Sequence, residues 1–437
     1  MSSTLVIAVI VVLFAVLLLA GGYIHTVLLV AGIGGVLLLS GTDILGGLLG
    51  PLPFSRTASY TLTTIPLFVL MAQFVLQADI VKDLFYVVNR VSKNRNGVLG
   101  SLTLVAGAML GAVSGSGVAA AASLGQVAVP ELEKSGFKRA HAGAVAAAAG
   151  SLSGIVPPSI ILILFGVATE TPIGDLFIGA VIPAAAVTLV FILVMMFYLR
   201  RDHAKAELAN WPAAPVESIG VPRLIVSMSV MGVIVFVVLG GIYAGMVTAT
   251  EAGAIGAFSA LLAAIVLGQF SLRFLRDSFL ETVKITSMVM LILIGAQIFG
   301  KFVTLSLLPR RLIDLLGPLV DNPVAMIAIL SAVFFILFMF IEGAAVILMT
   351  IPVILPIINA MNMDLLWFGV FVAMICTVGL ITPPVGLSVY AVSGASGVSS
   401  GGIFKYATGF AVLAVLIVAA MMTIFPQMAT WLPSVAA

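Results

Sequence analysis

A short pattern of small polar residues followed by two prolines occurs twice in this chain, each time inside a long apolar stretch. Residues 150–160 read GSLSGIVPPSI and residues 376–386 read CTVGLITPPVG, so that Pro157 in the first copy corresponds to Pro383 in the second. A proline inside a helix removes a backbone donor and clashes with the carbonyl four residues earlier, so a Pro-Pro pair breaks the helix. The repetition predicts two copies of one unit, each containing a broken helix.

A second repeated feature lies upstream of each Pro-Pro pair. The separation between Pro130 and Pro356 equals the separation between Pro157 and Pro383, and a Gly-rich apolar stretch precedes each of these two prolines, at 114–123 and at 340–349. Each unit is therefore predicted to contain a helical hairpin with small residues at its tip. Interrupted apolar segments at matching places in two halves point to a substrate and ion site of a secondary transporter. The alternative is a kinked helix that fills a bundle, with glycines for close packing.

Composition places the chain in a membrane. It is 62% apolar and 8% charged, whereas soluble domains carry about 25% charged residues. Cys376 is the only cysteine, so no disulfide framework is expected. The three histidines are scattered and no phosphate-binding GxxxxGK[ST] loop is present, which argues against an enzyme and against ATP hydrolysis by this chain. No nucleic-acid partner is expected.

A spanning helix needs about 20 mostly apolar residues, and both halves of the chain supply such segments in the same order. In the first half we predict spans at 4–22, 24–41 and 59–77, a hairpin at 98–130, a broken span at 138–166 and a span at 173–199. In the second half we predict spans at 222–244, 251–268 and 283–307, a hairpin at 323–357, a broken span at 364–392 and a span at 403–425. Segments 42–58 and 269–282 are predicted to be interfacial connectors or ordinary loops. The predicted fold is an all-α polytopic membrane protein with inverted repeats.

The orientation follows from loop charge, because cytoplasmic loops concentrate Lys and Arg. The basic residues mark four cytoplasmic segments: Lys82, Arg90, Lys93 and Arg95; Lys134, Lys138 and Arg139; Arg200, Arg201, Lys205 and Arg223; and Arg273, Arg276 and Lys284. Threading the spans through these segments puts both termini outside and makes the two hairpins enter from opposite faces. Arg310 and Arg311 then fall on the outer side, where they form a docking surface or indicate a local error in the topology.

The broken helices carry groups suited to ion binding. The Pro-Pro pairs free backbone carbonyls near 153–156 and 379–382. Free carbonyls and hydroxyls are ligands for a hard cation such as Na⁺, and a helix N-terminus beyond each break favours an anion. These two features together suit coupled import of an organic anion with Na⁺.

Three charged residues in predicted apolar segments have open roles. Glu342, at the second hairpin tip, could ligate a cation, remain protonated or make a structural hydrogen bond to a neighbouring helix. Lys301 either snorkels to an interface or faces the cavity as the cation for a substrate carboxylate. Glu251 begins a span and could cap that helix.

These residues also carry a family resemblance that covers almost the whole chain. The stretch 114–160, with its Ser/Gly tip, Pro-Glu-Leu-Glu-Lys turn and Ala-rich run to Pro-Pro-Ser, resembles the large membrane subunit of TRAP (tripartite ATP-independent periplasmic) transporters, and TATEAGAIGA, IEGAAVILMTIPVILP and GLITPPVG add to the match. The chain departs from the family at Ala249, where Pro is more frequent, and at Glu342, where Asp and Glu both occur.

The resemblance implies a bacterial inner-membrane protein that imports a C4-dicarboxylate, sialic acid or other carboxylate by a Na⁺-driven elevator mechanism. Its implied partners are a small four-helix membrane subunit and a periplasmic binding protein, and the chain resembles the unfused type. The alternative is a self-sufficient Na⁺- or H⁺-coupled carboxylate carrier of the same architecture.

The resemblance also implies site residues and a division into parts. One Na⁺ site would use Ser114, Ser116, Ser153, Val156 and Ser159, and the other Glu342, Gly343, Gly379, Thr382 and Val385. The substrate would contact Ser116, Gly117, Gly343 and Lys301. The implied parts are scaffold at 1–97 and 222–322, transport domain at 98–172 and 323–402, single spans at 173–199 and 403–437, and a cytoplasmic linker at 200–221.

Overall fold

The computed structural model describes residues 3–93, 95–203, 221–319 and 322–436. Helices make up almost all of these ranges, which contain no strand. Eight of the helices in the described ranges are long and apolar enough to cross a membrane, and several shorter apolar helices lie between them. The chain is therefore an all-α polytopic membrane protein, as the sequence predicts.

The first repeat holds eleven helices. They are α1 Ser3–Leu19, α2 Ile24–Ser40, α3 Asp43–Leu49, α4 Pro51–Thr57, α5 Thr64–Gln77, α6 Ile80–Ser92, α7 Asn96–Ser114, α8 Gly117–Lys134, α9 Arg139–Ser151, α10 Ile160–Thr169 and α11 Ile173–His203. The predicted linker that follows α11 lies outside the described residues from 204 to 220.

The second repeat follows the same order. It holds α12 Val221–Val235, α13 Gly241–Tyr243, α14 Ala249–Val266, α15 Leu272–Leu305, α16 Leu308–Leu316, α17 Pro323–Phe340, α18 Gly343–Ala360, α19 Leu365–Gly379, α20 Leu387–Ser396, α21 Ser400–Ala414, α22 Ala420–Ile424 and α23 Gln427–Ala436. Short π-helical segments join α12 to α13 and α21 to α22.

The constant offset between the two Pro-Pro pairs extends to whole helices. The helix after each hairpin tip begins at Gly117 in one repeat and at Gly343 in the other, and the helix before each break begins at Arg139 and at Leu365. With α1, α2, α5, the broken helix α9–α10 and α11 each taken as one crossing, five crossings separate the starts of the repeats. Because five is odd, the second repeat starts on the opposite side of the membrane and the repeats are inverted.

Both predicted hairpins are present, with longer arms than predicted. The arms α7 and α8 meet at Gly115 and Ser116, where Gly115 has a φ of 58° that suits glycine. The arms α17 and α18 meet at Ile341 and Glu342. Pro130, Pro352 and Pro356 lie inside α8 and α18 without ending them.

Both predicted broken helices are also present. The helix α9 ends at Ser151, a short 3₁₀ turn follows, and α10 begins at Ile160. Its counterpart α19 ends at Gly379 and α20 begins at Leu387. The Pro-Pro peptide bonds in both breaks are cis. Since every residue of α9 from His141 to Ser151 is buried, the breaks lie inside the protein.

The connector predicted at 269–282 is wrong. Residues 272–282 form the first turns of α15, a single helix of 34 residues. Ser271 caps this helix by accepting a hydrogen bond from the Phe274 amide, and charged residues such as Arg273 lie on its exposed face. The mixed sequence thus continues a helix beyond its spanning part. The first connector, 42–58, folds into the short helices α3 and α4.

Glycines set the close packing of the flanking helices. On α2, a Cβ at Gly32 would lie 2.7 Å from the Phe299 backbone of α15. On α14, a Cβ at Gly256 would overlap the Met71 sulfur of α5. Small residues at such contacts let helix backbones approach closely in a membrane. The pairs α2–α15 and α5–α14 therefore form matching units on the two sides of the hairpins.

Candidate functional site

The two hairpin tips end in equivalent helix caps. Ser116 is the N-cap of α8 and its hydroxyl accepts a hydrogen bond of 3.5 Å from the Ala119 amide. Glu342 is the N-cap of α18, and its Oε2 accepts hydrogen bonds of 2.9 and 3.3 Å from the Ala344 and Ala345 amides. Caps satisfy the free donors of a helix's first turn. Glu342 thus bonds the first turn of its own helix through one of its two oxygens, and not a neighbouring helix as predicted for its structural role.

The tips and breaks of the two repeats meet at one place. A Cβ at Gly117 would lie 3.0 Å from a methyl carbon of Leu380 and 3.2 Å from the Ser153 hydroxyl, so the first tip contacts both breaks. A Cβ at Gly343 would lie 2.5 Å from Ile161 and 2.8 Å from the Cys376 sulfur. Small residues at these positions are what allow the convergence.

A cavity of about 400 Å³ opens at the tips. Gly115, Ser116 and Gly117 line it from the first hairpin, and Glu342, Gly343 and Ala344 line it from the second. The flanking helices α5 and α15 complete its walls, with Gln73 and Val289 among the lining residues. Four predicted site residues, Ser116, Gly117, Glu342 and Gly343, are therefore brought together.

The breaks leave backbone oxygens free, as predicted, though fewer than the sequence suggested. In the first break the Ser159 hydroxyl donates to the Gly154 carbonyl at 2.7 Å, and in the second the Ser388 amide donates to the Leu380 carbonyl at 3.0 Å. Within the described residues, four carbonyls at equivalent positions accept no hydrogen bond; they belong to Ile155, Val156, Ile381 and Thr382.

Hydroxyl groups belong to the same two breaks. The buried Ser153 hydroxyl donates to the Gly150 carbonyl at 3.0 Å, and the Thr382 hydroxyl donates to the Val378 carbonyl at 2.8 Å. Each retains oxygen lone pairs for a cation. The Ser388 hydroxyl is buried and has no hydrogen-bond partner among the described residues. Sequence reasoning missed Ser388, because its counterpart in the first repeat is Leu162.

The other predicted Na⁺ ligands lie in or next to the breaks and the first tip. The structure does not describe the side chain of Ser114. Val156 and Val385 lie in the breaks and offer only backbone atoms. Gly379 packs so closely against Phe338 that a Cβ at Gly379 would overlap the Phe338 Cβ. No group of three or more His, Cys, Asp or Glu residues that could hold a metal occurs in the described ranges.

Lys301 does not join the tips. It lines a separate cavity of about 360 Å³ between α15 and α18, together with Gln297, Thr304 and Pro352. Its side chain is exposed and makes no ion pair with the described residues. A third cavity, of about 690 Å³, shares Gln297 and Leu293 with it and reaches Thr64 and Thr250, whose hydroxyls are 2.6 Å apart.

Glu251 caps α14, as the sequence suggested. It forms a capping box with Thr248, accepting from the Thr248 amide at 2.8 Å while the Thr248 hydroxyl accepts from the Glu251 amide at 3.3 Å. This reciprocal pair satisfies donors at the start of a spanning helix. Glu251 therefore has a structural role outside the tip cavity.

Comparison with known proteins connects this site to a transporter family. Residues 11–428 match the family model described as "Tripartite ATP-independent periplasmic transporter, DctM component". The chain is 29% identical over 383 residues to the C4-dicarboxylate TRAP transporter large permease protein DctM of Pseudomonas aeruginosa, covering 87% of this chain and 88% of that one. It is 29% identical over 380 residues to the sialic acid TRAP transporter large permease protein SiaM of Vibrio cholerae, covering 86% of each.

A solved structure shares the fold. The crystal structure of the YdaH transporter of Alcanivorax borkumensis, described as having an unusual topology, matches with a TM-score of 0.72 at 14% identity. The match covers 89% of this chain and 90% of that chain. At this identity the likeness concerns the fold alone.

Proposed function

The chain belongs to the DctM-component family of tripartite ATP-independent periplasmic transporters, and on that premise we propose that it is the large membrane subunit of a Na⁺-coupled importer of organic acids. The observation that carries the proposal is the meeting of two capped hairpin tips with two broken helices around one cavity. Two relatives are named for carboxylate-bearing substrates, a C4-dicarboxylate and sialic acid. A carboxylate is therefore the substrate class that we propose.

We place the coupling Na⁺ ions, which are cargo, at the two breaks. The unpaired carbonyls of Ile155 and Val156 in the first break and of Ile381 and Thr382 in the second are oxygen donors that a hard cation requires. The same breaks carry the hydroxyls of Ser153 and Thr382. Ser116, Ser159 and Ser114 in the first site, and Glu342, Gly343, Gly379 and Val385 in the second, remain proposed ligands.

We propose an elevator movement for the alternating access. The hairpins and broken helices, 98–172 and 323–402, would move together, while 1–97 and 222–322 would stay fixed in the bilayer. Support comes from packing: the pairs α2–α15 and α5–α14 approach closely at glycines, and a cavity lies between α15 and the hairpin arm α18, which touch at Gly300 and Pro352. The spans at 173–199 and 403–437 would follow the moving hairpin and broken helix in each repeat. The linker at 200–221 would join the two repeats.

The proposed partners are a small membrane subunit and a periplasmic binding protein, in agreement with the word tripartite in the family description. The exposed apolar residues of α1, such as Val12 and Val16, face lipid or the small subunit. Both termini are proposed to lie in the periplasm of a bacterium, with the chain in the inner membrane. Arg310 and Arg311, on the short helix α16, would then lie at the surface that meets the binding protein.

Uptake into proteoliposomes tests this proposal. The chain would be reconstituted with its small subunit, and uptake of radiolabelled C4-dicarboxylates and sialic acid would be measured under an inward Na⁺ gradient, with and without the binding protein. Uptake that requires both the Na⁺ gradient and the binding protein supports the tripartite importer. Uptake without the binding protein would instead support a self-sufficient Na⁺- or H⁺-coupled carrier of this architecture. If no carboxylate is taken up, with or without the binding protein, both the tripartite importer and the self-sufficient carrier are contradicted.

A further inference from the structure

The same dipeptide faces a cavity on both flanking helices. On α5 the residues that line the tip cavity are Val69, Ala72, Gln73 and Leu76. On α15 the cavity beside α18 is lined by Leu293, Ala296, Gln297 and Gly300, and further along the helix by Lys301 and Thr304. One constant offset along the chain relates the first four of these positions to the four on α5, and Ala-Gln occupies the same two places in both sets. The two glutamines are therefore equivalent positions of an inverted repeat.

The two glutamines face different parts of the hairpins. Gln73 shares its cavity with both hairpin tips, including Ser116 and Glu342. Gln297 instead faces the middle of the arm α18, at Leu348, Ile351 and Pro352. Both amides are half-buried, and neither makes a hydrogen bond with the described residues. Each amide therefore keeps its N–H donors available to water or to a ligand in the cavity.

The register along α15 gives the distance between the tips and Gln297. A Cβ at Gly300 would lie 3.1 Å from the Pro352 Cβ, and Val289 shares the tip cavity with Ala344. The helices α15 and α18 therefore run in the same direction, and Glu342, ten residues before Pro352, lies near the level of residue 290. Gln297 is seven residues further along, which is about 10 Å at 1.5 Å per residue.

We propose that Gln73 and Gln297 are alternate hydrogen-bond donors to the cargo carboxylate held at the tips. Gln73 donates in the state described here, and Gln297 donates after the tips have moved about 10 Å along α15. In a transporter built from inverted repeats, the two halves take each other's places between the inward-open and outward-open states, so equivalent positions exchange their roles. Lys301, one turn beyond Gln297, adds positive charge to the second position. This inference rests on the proposed import of carboxylates.

Side-specific kinetics test the assignment. Gln73→Leu and Gln297→Leu keep the side-chain size and remove the hydrogen-bond donor. Each variant should raise the KM for a carboxylate about tenfold on one side of the membrane, and the two variants should affect opposite sides. On the unaffected side the KM should stay within about twofold of wild type. Right-side-out and inside-out vesicles present the two sides. Gln77→Leu on α5 and Ser287→Leu on α15 are matched controls, because neither residue lines a described cavity.

The isosteric change to glutamate sharpens this test. Gln73→Glu and Gln297→Glu would place a carboxylate against the cargo carboxylate, so each should weaken transport on the same side more than the leucine variant does. If all four variants raise the KM equally on both sides of the membrane, the glutamines have a structural role and the assignment is overturned. An unchanged KM on both sides would overturn it as well.

A distance measurement tests the movement independently of transport. Spin labels at Asn359→Cys, on the exposed end of α18, and at Phe270→Cys, beside the start of α15, would be placed in a Cys376→Ser background. We expect two distance populations that differ by about 10 Å and shift with Na⁺. A single population with and without Na⁺ would overturn the inference. If the labels show two populations but no carboxylate is carried, the movement stands and the proposed substrate class fails.

Discussion

Gly154, in the broken helix of the first repeat, packs directly against Thr377, in the helix before the break of the second: a Cβ at Gly154 would lie 2.8 Å from the Thr377 hydroxyl oxygen. The first break thus contacts the helix that leads into the second, at a position that has no room for a side chain. A movement of one broken helix past the other would have to separate this contact. This contact joins the two inverted repeats into one unit at the site where ions and substrate are proposed to bind.

Close packing of the first hairpin against its broken helix predicts a stability effect. A Cβ at Gly150 would lie 2.5 Å from the Ala121 backbone, which cannot move as a flexible side chain can. We expect Gly150→Ala to destabilise the protein by about 1–3 kcal/mol through overpacking. Gly232→Ala is the matched control, since nothing lies within 4 Å of its Cβ position. Thermal unfolding in detergent would measure both, and equal melting temperatures would contradict the packing argument.

The two roles of Glu342 can be separated. Glu342→Gln keeps an oxygen that can accept from the Ala344 and Ala345 amides, so α18 should stay capped while the charge is lost. Glu342→Ala removes the cap as well, at a cost of about 1 kcal/mol. We expect both variants to weaken the Na⁺ dependence of uptake and only the alanine variant to lower the melting temperature. Normal Na⁺ activation in Glu342→Gln would confine Glu342 to its capping role.

Bulky side chains at the breaks should stop transport without unfolding the chain. Ser153→Leu and Thr382→Leu would place a bulky apolar side chain in the breaks that carry the free carbonyls of Val156 and Thr382. We expect both variants to insert in the membrane and to lose Na⁺-driven uptake. Expression and gel filtration of the purified protein give the folding control. Wild-type uptake rates in both variants would remove the breaks from the proposed ion sites.

Lys301 offers a test of charge at the second cavity. Lys301→Met keeps the length of the apolar stem and removes the charge, so the KM for an organic anion should rise several-fold. Lys284→Met, on the same helix, is a matched control because Lys284 pairs with the exposed Glu281. An unchanged KM in Lys301→Met would favour the interpretation that Lys301 only snorkels to the membrane interface.

Much of the fold was predictable because proline and glycine act locally. Pro-Pro breaks a helix wherever it occurs, and the repeated spacing located both breaks and both hairpins before any contact was known. The continuous helix through Arg273 and Asp277 was not predicted, since hydropathy marks where a helix leaves the membrane and not where it ends. The short helices α6 and α16 were missed for the same reason.

The site was only partly predictable. The sequence placed Ser116 and Glu342 at the tips, but it could not show that Glu342 caps α18 or that Lys301 lies in another cavity. Both facts depend on how the helices pack. The Ala-Gln pair at Gln73 and Gln297 is visible in the sequence as a repeated dipeptide. It was missed because the offset between these two glutamines is slightly shorter than the offset that relates the breaks and the hairpins.

Na⁺-coupled transport at the tips and breaks is tested by measuring the flux of ²²Na⁺ together with that of a radiolabelled carboxylate in proteoliposomes. The complex of this chain, its small subunit and the loaded binding protein should carry ²²Na⁺ inward in step with the acid. Both fluxes should be lost in Thr382→Leu, whose side chain would fill the second break. Uptake of the acid with no accompanying ²²Na⁺ would contradict Na⁺-coupled transport at the hairpin tips and breaks.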